Sequence, residues 1–381
     1  MAPKITKTPA EGTAPDDAVR PGDAVRQYAG KTNLSAVLVD SLRRLDDDKH
    51  AVTIHWPRDH AFYPLTEQGH SPLLFIESVR QALSVISYAG LDVPVDYRMS
   101  WEFLTSDIAS TALRPGPDPA TVEVIVTHKI VDRRRLGSVR FAAHAHAVRD
   151  GMPLGTARMD YTAHPPVLYK RLRGRSGDAA QAFARALPAP PPIDAALAGR
   201  TSERDVVLAP GDAPRRWLLR ADTTHPELFD HPHDHVPGMV LLEAAHQAVQ
   251  ADAAPERIIP VSLNATFRRY TELDQPCWIV TEPADTDEHG RRRQTVSGVQ
   301  EDNVAFTIVI TGEPATLRED TVPRAGRVPG AAPPREGDHP RHPRPPDRPG
   351  AGHRPAMPTE PPAAPAADAA DESRHPATAT I

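Results

Sequence analysis

The chain has 381 residues, 39% of them hydrophobic, enough for two or three domains with real cores. A net charge of −6 argues against a nucleic-acid-binding protein, and the single cysteine, Cys277, excludes an internal disulfide. No apolar run reaches the length of a membrane span and the opening residues MAPKITKTPAEGTAPDDAVRPG lack an apolar signal core, so a cytoplasmic location away from membranes is expected.

Residues 1–30 are rich in Pro, Ala, Asp and Gly without periodicity and read as a disordered arm. A first globular unit is expected over 31–170. Strand-like stretches near 36–39 and 51–56 lead through WPRDHAFYP into a helix at Ser71, a good N-cap with Pro72 at the first helical position, and the helix stops at Gly90. Alternating β-rich segments follow at 97–103, 121–130, 138–148 and 155–162, the last two joined by the turn Asp150-Gly151. Prolines 188, 190, 191 and 192 mark 171–200 as a linker.

The second unit, 201–318, runs in the same order: strands at 205–208 and 217–220, the loop DTTHPELFDHPHDHVPG, a helix from Gly238 to about Ala251, then strands at 259–270, 277–281, 292–299 and 303–311. The stretch 319–381 holds 15 of the chain's 43 prolines and hardly a large apolar side chain, so a disordered tail is expected.

The two helices are copies of one design. SPLLFIESVRQA at 71–82 and PGMVLLEAAHQA at 237–248 place Glu77 and Glu243, Arg80 and His246, Gln81 and Gln247 at a common offset of 166 residues. Within each helix the Glu shares a face with the residues three and four positions on. The remaining positions are greasy nearly all round, which marks a buried helix. A buried carboxylate costs several kcal/mol, roughly, unless paired, and such a cost is usually tolerated for chemistry; the plainer alternative is an i,i+3 ion pair on a solvated edge. A single helix lying across an antiparallel sheet, twice over, is the α+β tandem double hotdog, and its halves would pair as an intrachain pseudo-dimer.

At FDHPHDHVPGMVLLEAAHQ and WPRDHAFYPLTEQGHSPLLFIESVRQA the sequence resembles the A-factor synthase family of actinomycete γ-butyrolactone signalling, and more distantly the β-hydroxyacyl carrier-protein dehydratases. The resemblance implies an acyltransferase that moves a β-ketoacyl group from acyl carrier protein to the hydroxyl of dihydroxyacetone phosphate, without a cofactor. It implies that Glu77 and Glu243 are needed, with a basic residue three positions after Glu243; the family usually has Arg there, and this chain has His246.

Such a transfer needs a base for the hydroxyl, donors for the oxyanion and cations for the phosphate. Glu77 or Glu243, with a pKa raised by an apolar wall, would be the base. The helix N-termini at Pro72 and Gly238 would supply the oxyanion donors, Gly238 admitting the carbonyl closely. Arg80 is expected to hold the phosphate, and His246 in place of Arg to weaken that grip or change the acceptor. Gln81 and Gln247 would fix the carboxylates.

The run His231, His233, Asp234, His235 falls one residue short of a metallo-hydrolase pattern and no metal is expected. Its plain reading is a loop whose histidines bond backbone; the dehydratase resemblance instead has His231 polarising the acyl carbonyl, with His60 at the comparable place in the first repeat. Trp56, Trp101 and Trp278 are expected in the core. Two other functions use the same residues: a dehydratase or thioesterase on acyl thioesters, and a non-catalytic acyl or lactone sensor.

Overall fold

The computed structural model describes residues 26–315, apart from 117, 118 and 135. Six strands form the first half of the sheet: β1 (Val39–Arg44), β2 (Lys49–Trp56), β3 (Arg98–Ile108), β4 (Ala120–Arg133), β5 (Val139–Arg149) and β6 (Met152–His164). The second half holds β7 (Leu208–Pro210), β8 (Arg216–Leu219), β9 (Ile258–Phe267), β10 (Trp278–Thr281), β11 (Asp285–Thr286), β12 (Arg292–Gln300) and β13 (Asn303–Pro314). The spatial order is β1-β2-β4-β5-β6-β3-β9-β13-β12-β10-β8-β7, with β11 beside β12. Read outward from the β3–β9 seam, each half repeats one topology, and every strand pairing is antiparallel. This is the tandem hotdog expected from the sequence, with one continuous sheet running through both copies.

Helix α1 (Pro72–Val85) covers the first half. Ser71 caps it by accepting a hydrogen bond from the Leu73 amide, Pro72 presets the first turn, and a π-helical turn carries the chain on to Gly90. All of its residues except Arg80 and Ser84 are buried. Trp56 of β2, fully buried as expected, donates its indole N–H to Ser78, which in turn donates to the Leu74 carbonyl, so the polar atoms at the helix–sheet contact are satisfied. Burying each large apolar side chain of α1 contributes about 1.5–3 kcal/mol, which is how the helix tolerates the buried polar residues it carries.

The stretch expected as a linker holds more structure than its prolines suggest. Helix α2 (Pro166–Arg173) enters it, α3 (Ala179–Arg185) lies within it, and Arg173, Ala182 and Ala198 are buried. Helix α4 (Gly238–Ala253) then covers the second half. At the other end, residues 26–30, expected in the arm, belong to the fold: Ala29 is fully buried and its carbonyl accepts from Arg80. The rest of the arm and the tail over 319–381 lie outside the described residues. No described helix is long and apolar enough to cross a membrane.

Candidate active site

Each buried glutamate sits in a polar cluster, and the two clusters are built alike. Arg80 grips Glu77 with two parallel bonds, Nε to Oε2 at 2.8 Å and Nη2 to Oε1 at 2.7 Å, while the Lys31 ammonium stands 3.9 Å from Oε1. Gln81 donates to Glu77 Oε1 and to the Ala36 carbonyl and accepts from the Leu38 amide. In the second half Gln247 donates to Glu243 Oε1 and to the Asp205 carbonyl and accepts from the Val207 amide. Both glutamines therefore fix a carboxylate and tie its helix to the chain leading into the sheet.

The cations differ. Glu243 Oε1 accepts from Arg200, with Nη2 at 2.6 Å and Nε at 3.0 Å, whereas His246 Nδ1 lies 4.0 Å from Oε2 and leaves that buried oxygen without a hydrogen bond. Arg200 is the functional residue that the sequence reasoning missed. It was legible in a second, shorter repeat: Ala29-Gly30-Lys31 and Ala198-Gly199-Arg200, offset by 169, each with a buried alanine and a glycine at positive φ. Each of these cations also crosses the seam, Lys31 donating to the Glu227 carbonyl and Arg200 to the Phe62 carbonyl.

This pairing reverses one expectation. Burial by itself raises a carboxylate pKa, but Arg80 and Lys31 outweigh it at Glu77, and Arg200 with His246 outweighs it at Glu243, drawing both down to about 2. Neither is the raised, poised base anticipated from an apolar wall; both are ionised anchors for cations.

A cavity of about 550 Å³ opens between the halves, a size that suits a small-molecule ligand. Glu77, Arg80 and Gly238 line it together with Lys31, His60, His233 and His235. Among the described residues, Glu243, His246, Gln81, Gln247 and His231 are not part of its wall. His246 therefore cannot touch a phosphate held there; it stands behind Glu243, bonded to Gln250. The substitution His246→Arg is expected to supply the partner that Glu243 Oε2 lacks, a gain of about 1.5–3 kcal/mol for a hydrogen bond to a charged group. A rise in melting temperature with acceptor KM unchanged within about twofold would show this.

His231 also moves out of the role expected for it. Its Nδ1 donates to Asp230 at 2.8 Å while the next two histidines of the run face the cavity. Nor is His60 its counterpart. His60 Nδ1 accepts the amides of Phe62 and Tyr63, just as His225 Nδ1 accepts those of Glu227 and Leu228, so the matched pair is His60 and His225. Burial lowers the His60 pKa to about 4, which keeps the ring neutral.

Asp230, His231 and His233 bring ligand atoms within 4.8 Å of one another. The Asp230 oxygens are already committed, however, to His231, the Thr32 amide and hydroxyl, and the Asn33 amide. That carboxylate serves to hold the chain after Lys31 against the second half.

Gly238 lies close against the Trp101 indole. An added Cβ would lie 2.8 Å from Trp101 Cε3, so what approaches this glycine closely is the ring, and Trp101 walls the cavity instead of lying in the core. Pro237 offers no side-chain cap, and the first amide of α4 to find a backbone acceptor is that of Val240, which leaves those of Gly238 and Met239 beyond the helix's own bonding. Gly238→Ala should push the indole into the cavity and lower kcat/KM roughly 10–100-fold with the fold kept, since ångström-scale misplacement is enough for that. Steady-state kinetics beside a thermal melt tests it. Cys277 is buried with its thiol pushed up to about 12 by that burial, a core residue.

Fold and site define a double-hotdog protein whose two halves jointly wall a cavity that carries charged and histidine side chains among apolar ones. The model of the A-factor biosynthesis hotdog domain matches residues 13–165 and 181–315, and the chain belongs to that family. A protein named 2-oxo-3-(phosphooxy)propyl 3-oxoalkanoate synthase from Streptomyces virginiae is 34% identical over 75% of this chain and 96% of its own length. A protein of the same name from Streptomyces coelicolor is 36% identical over 70% of this chain and 83% of its own. An acyl-ACP thioesterase structure from Bacteroides thetaiotaomicron is similar at a TM-score of 0.40 and 12% identity, covering 71% of this chain and all of that one.

Proposed function

We propose that this protein transfers a β-ketoacyl group from a thioester, carried by acyl carrier protein, to the hydroxyl of dihydroxyacetone phosphate, in the cytoplasm. The relatives' printed name, a synthase joining a 3-oxoalkanoate to a phosphooxy-propyl group, describes the product of this reaction. The observation that carries the reading here is the shared cavity, which joins Glu77 with its two cations from one half to His233, His235 and the open N-terminus of α4 from the other. The repeats over 31–170 and 201–318 then act as a pseudo-dimer with one productive site at the seam.

Within that reading Glu77 is an ionised anchor that orients Lys31 and Arg80. Arg80 is a poor first choice for the phosphate, because its guanidinium is already spent on Glu77 and the Ala29 carbonyl. The exposed guanidinia of Arg134, Arg268 and Arg269 at the cavity rim are the better phosphate ligands. Arg269→Ala is expected to raise the acceptor KM about tenfold with little change in kcat, a loss typical of one charge-assisted contact.

The test of the function is mass spectrometry of products from a β-ketoacyl thioester plus dihydroxyacetone phosphate. A phosphorylated β-keto ester supports the reading. Free β-keto acid alone, equal with and without the acceptor, would identify a thioesterase instead.

A further inference from the structure

Two histidines from opposite halves face the same cavity with their ring protons placed on opposite nitrogens. His235 Nδ1 lies 2.8 Å from Asp234 Oδ1. An ionised carboxylate only accepts, so Nδ1 carries the proton and Nε2 is left as an acceptor. His60 is the reverse. Its Nδ1 accepts two backbone N–H groups, so its proton sits on Nε2 and that nitrogen is a donor. Both rings line the cavity, beside Glu77 and Gly238.

The surroundings hold each arrangement in place. Asp234 is fixed from α2 by the Tyr169 hydroxyl at 2.8 Å and by Arg173 Nε at 3.0 Å, and Arg173 is itself gripped by Glu272. Against the effect of burial, the contact with His235, and after it those from Tyr169 and Arg173, hold the Asp234 carboxyl far below the usual range, so it stays an acceptor. The Tyr270 ring packs at 4.7 Å from the His235 ring and His233 lies two residues before it. Around His60 the charged neighbours are Glu77, Lys31 and Asp59, and burial dominates them, keeping its ring neutral.

We propose that His235, oriented by Asp234, is the base that takes the acceptor's hydroxyl proton, and that His60 is the donor that receives the thioester carbonyl oxygen. This rests on the acyl-transfer reading and assigns its proton steps to residues that neither the buried glutamates nor His231 supply. The acceptor oxygen forms a bond to the carbonyl carbon as its proton passes to His235 Nε2, and the oxyanion is held by His60 Nε2–H. Collapse breaks the C–S bond, and the imidazolium returns the proton to the departing thiolate. Thioester and alcohol become ester and thiol, with nothing else consumed.

The experiment compares wild type with His235→Gln and His60→Asn, the latter keeping a side-chain acceptor for the two amides, using a β-ketoacyl thioester and dihydroxyacetone phosphate from pH 5 to 9. His235→Gln should lower kcat about 100-fold or more with KM within threefold, and abolish the acid-side fall of kcat/KM expected of a reaction that needs an unprotonated base. His60→Asn should lower kcat about 10–100-fold and keep that acid limb. Nitrogen-15 NMR of the wild-type histidines, independent of whether a variant folds, should find His235 protonated on Nδ1 and His60 on Nε2. A His235→Gln enzyme with wild-type kcat and an unmoved acid limb overturns the proposal, as does finding both rings in one tautomer. Wild-type enzyme that releases no ester overturns the function itself, a result distinct from either.

Discussion

Arg200→Met is expected to destabilise the fold by about 3–5 kcal/mol, because it strands a carboxylate that is 0% exposed and whose other oxygen has no hydrogen bond. For a domain of this size that corresponds to a melting temperature lower by roughly 6–20 °C. The pH dependence follows from the same pair. The Glu243 pKa is depressed in the folded state, from 4.5 to about 2, so its contribution is fully present above pH 4.5 and is lost as pH falls from there toward 2. Wild type should therefore lose stability through that window, and a variant lacking both partners, Arg200→Met with Glu243→Leu, should lose less. Replacing both with apolar groups of similar size should also restore most of the melting temperature, as removal of a whole buried pair generally does. A double variant as unstable as Arg200→Met alone would mean that Arg200 acts through its bond to the Phe62 carbonyl and its stacking on the Phe62 ring instead.

The second large effect separates two glutamates that look equivalent in sequence. Glu77 lines the cavity and Glu243 does not. Glu77→Gln should lower kcat/KM by about 100-fold, because a neutral amide cannot hold Lys31 and Arg80 in place and their charges then face the bound substrate uncompensated. The Arg200→Met, Glu243→Leu double variant, measured well below its melting temperature, should stay within about tenfold of wild type. Kinetics on the two variants side by side decide the matter. Equal losses would place chemistry at both glutamates, and a loss confined to the double variant would move the site to the second half.

Hydrophobic periodicity and turn chemistry are local, and they made the architecture readable. The alternation of apolar residues located the long strands, Ser71-Pro72 and Pro237-Gly238 marked where both helices begin, and the 166-residue offset of Glu, basic residue and Gln showed that the fold is doubled. The burial of Glu77 and Glu243 followed from the same pattern, since their helices are apolar nearly all round. Their partnership with Gln81 and Gln247 followed from i,i+4 spacing.

What charge those carboxylates hold, and which of them meets a ligand, could not be read that way. A buried acid has a raised pKa if alone and a lowered one if paired; Arg80 lies within i,i+3 reach of Glu77, but Arg200, the partner that decides Glu243, lies more than 40 residues away along the chain. Cavity residues were misassigned for a similar reason. His231 and His235 are equally plausible in the run HPHDH, and only the position of Asp234, Tyr169 and Arg173 around the loop determines which ring faces inward with which nitrogen protonated. By itself the sequence determined two copies of a helix on a sheet with a glutamate sealed in each, because backbone periodicity and burial are properties of neighbouring residues. Tertiary structure alone decided the pairing of Glu243 with Arg200, the shared cavity at the seam and the tautomers within it, because those depend on distances between segments that the chain brings together only on folding.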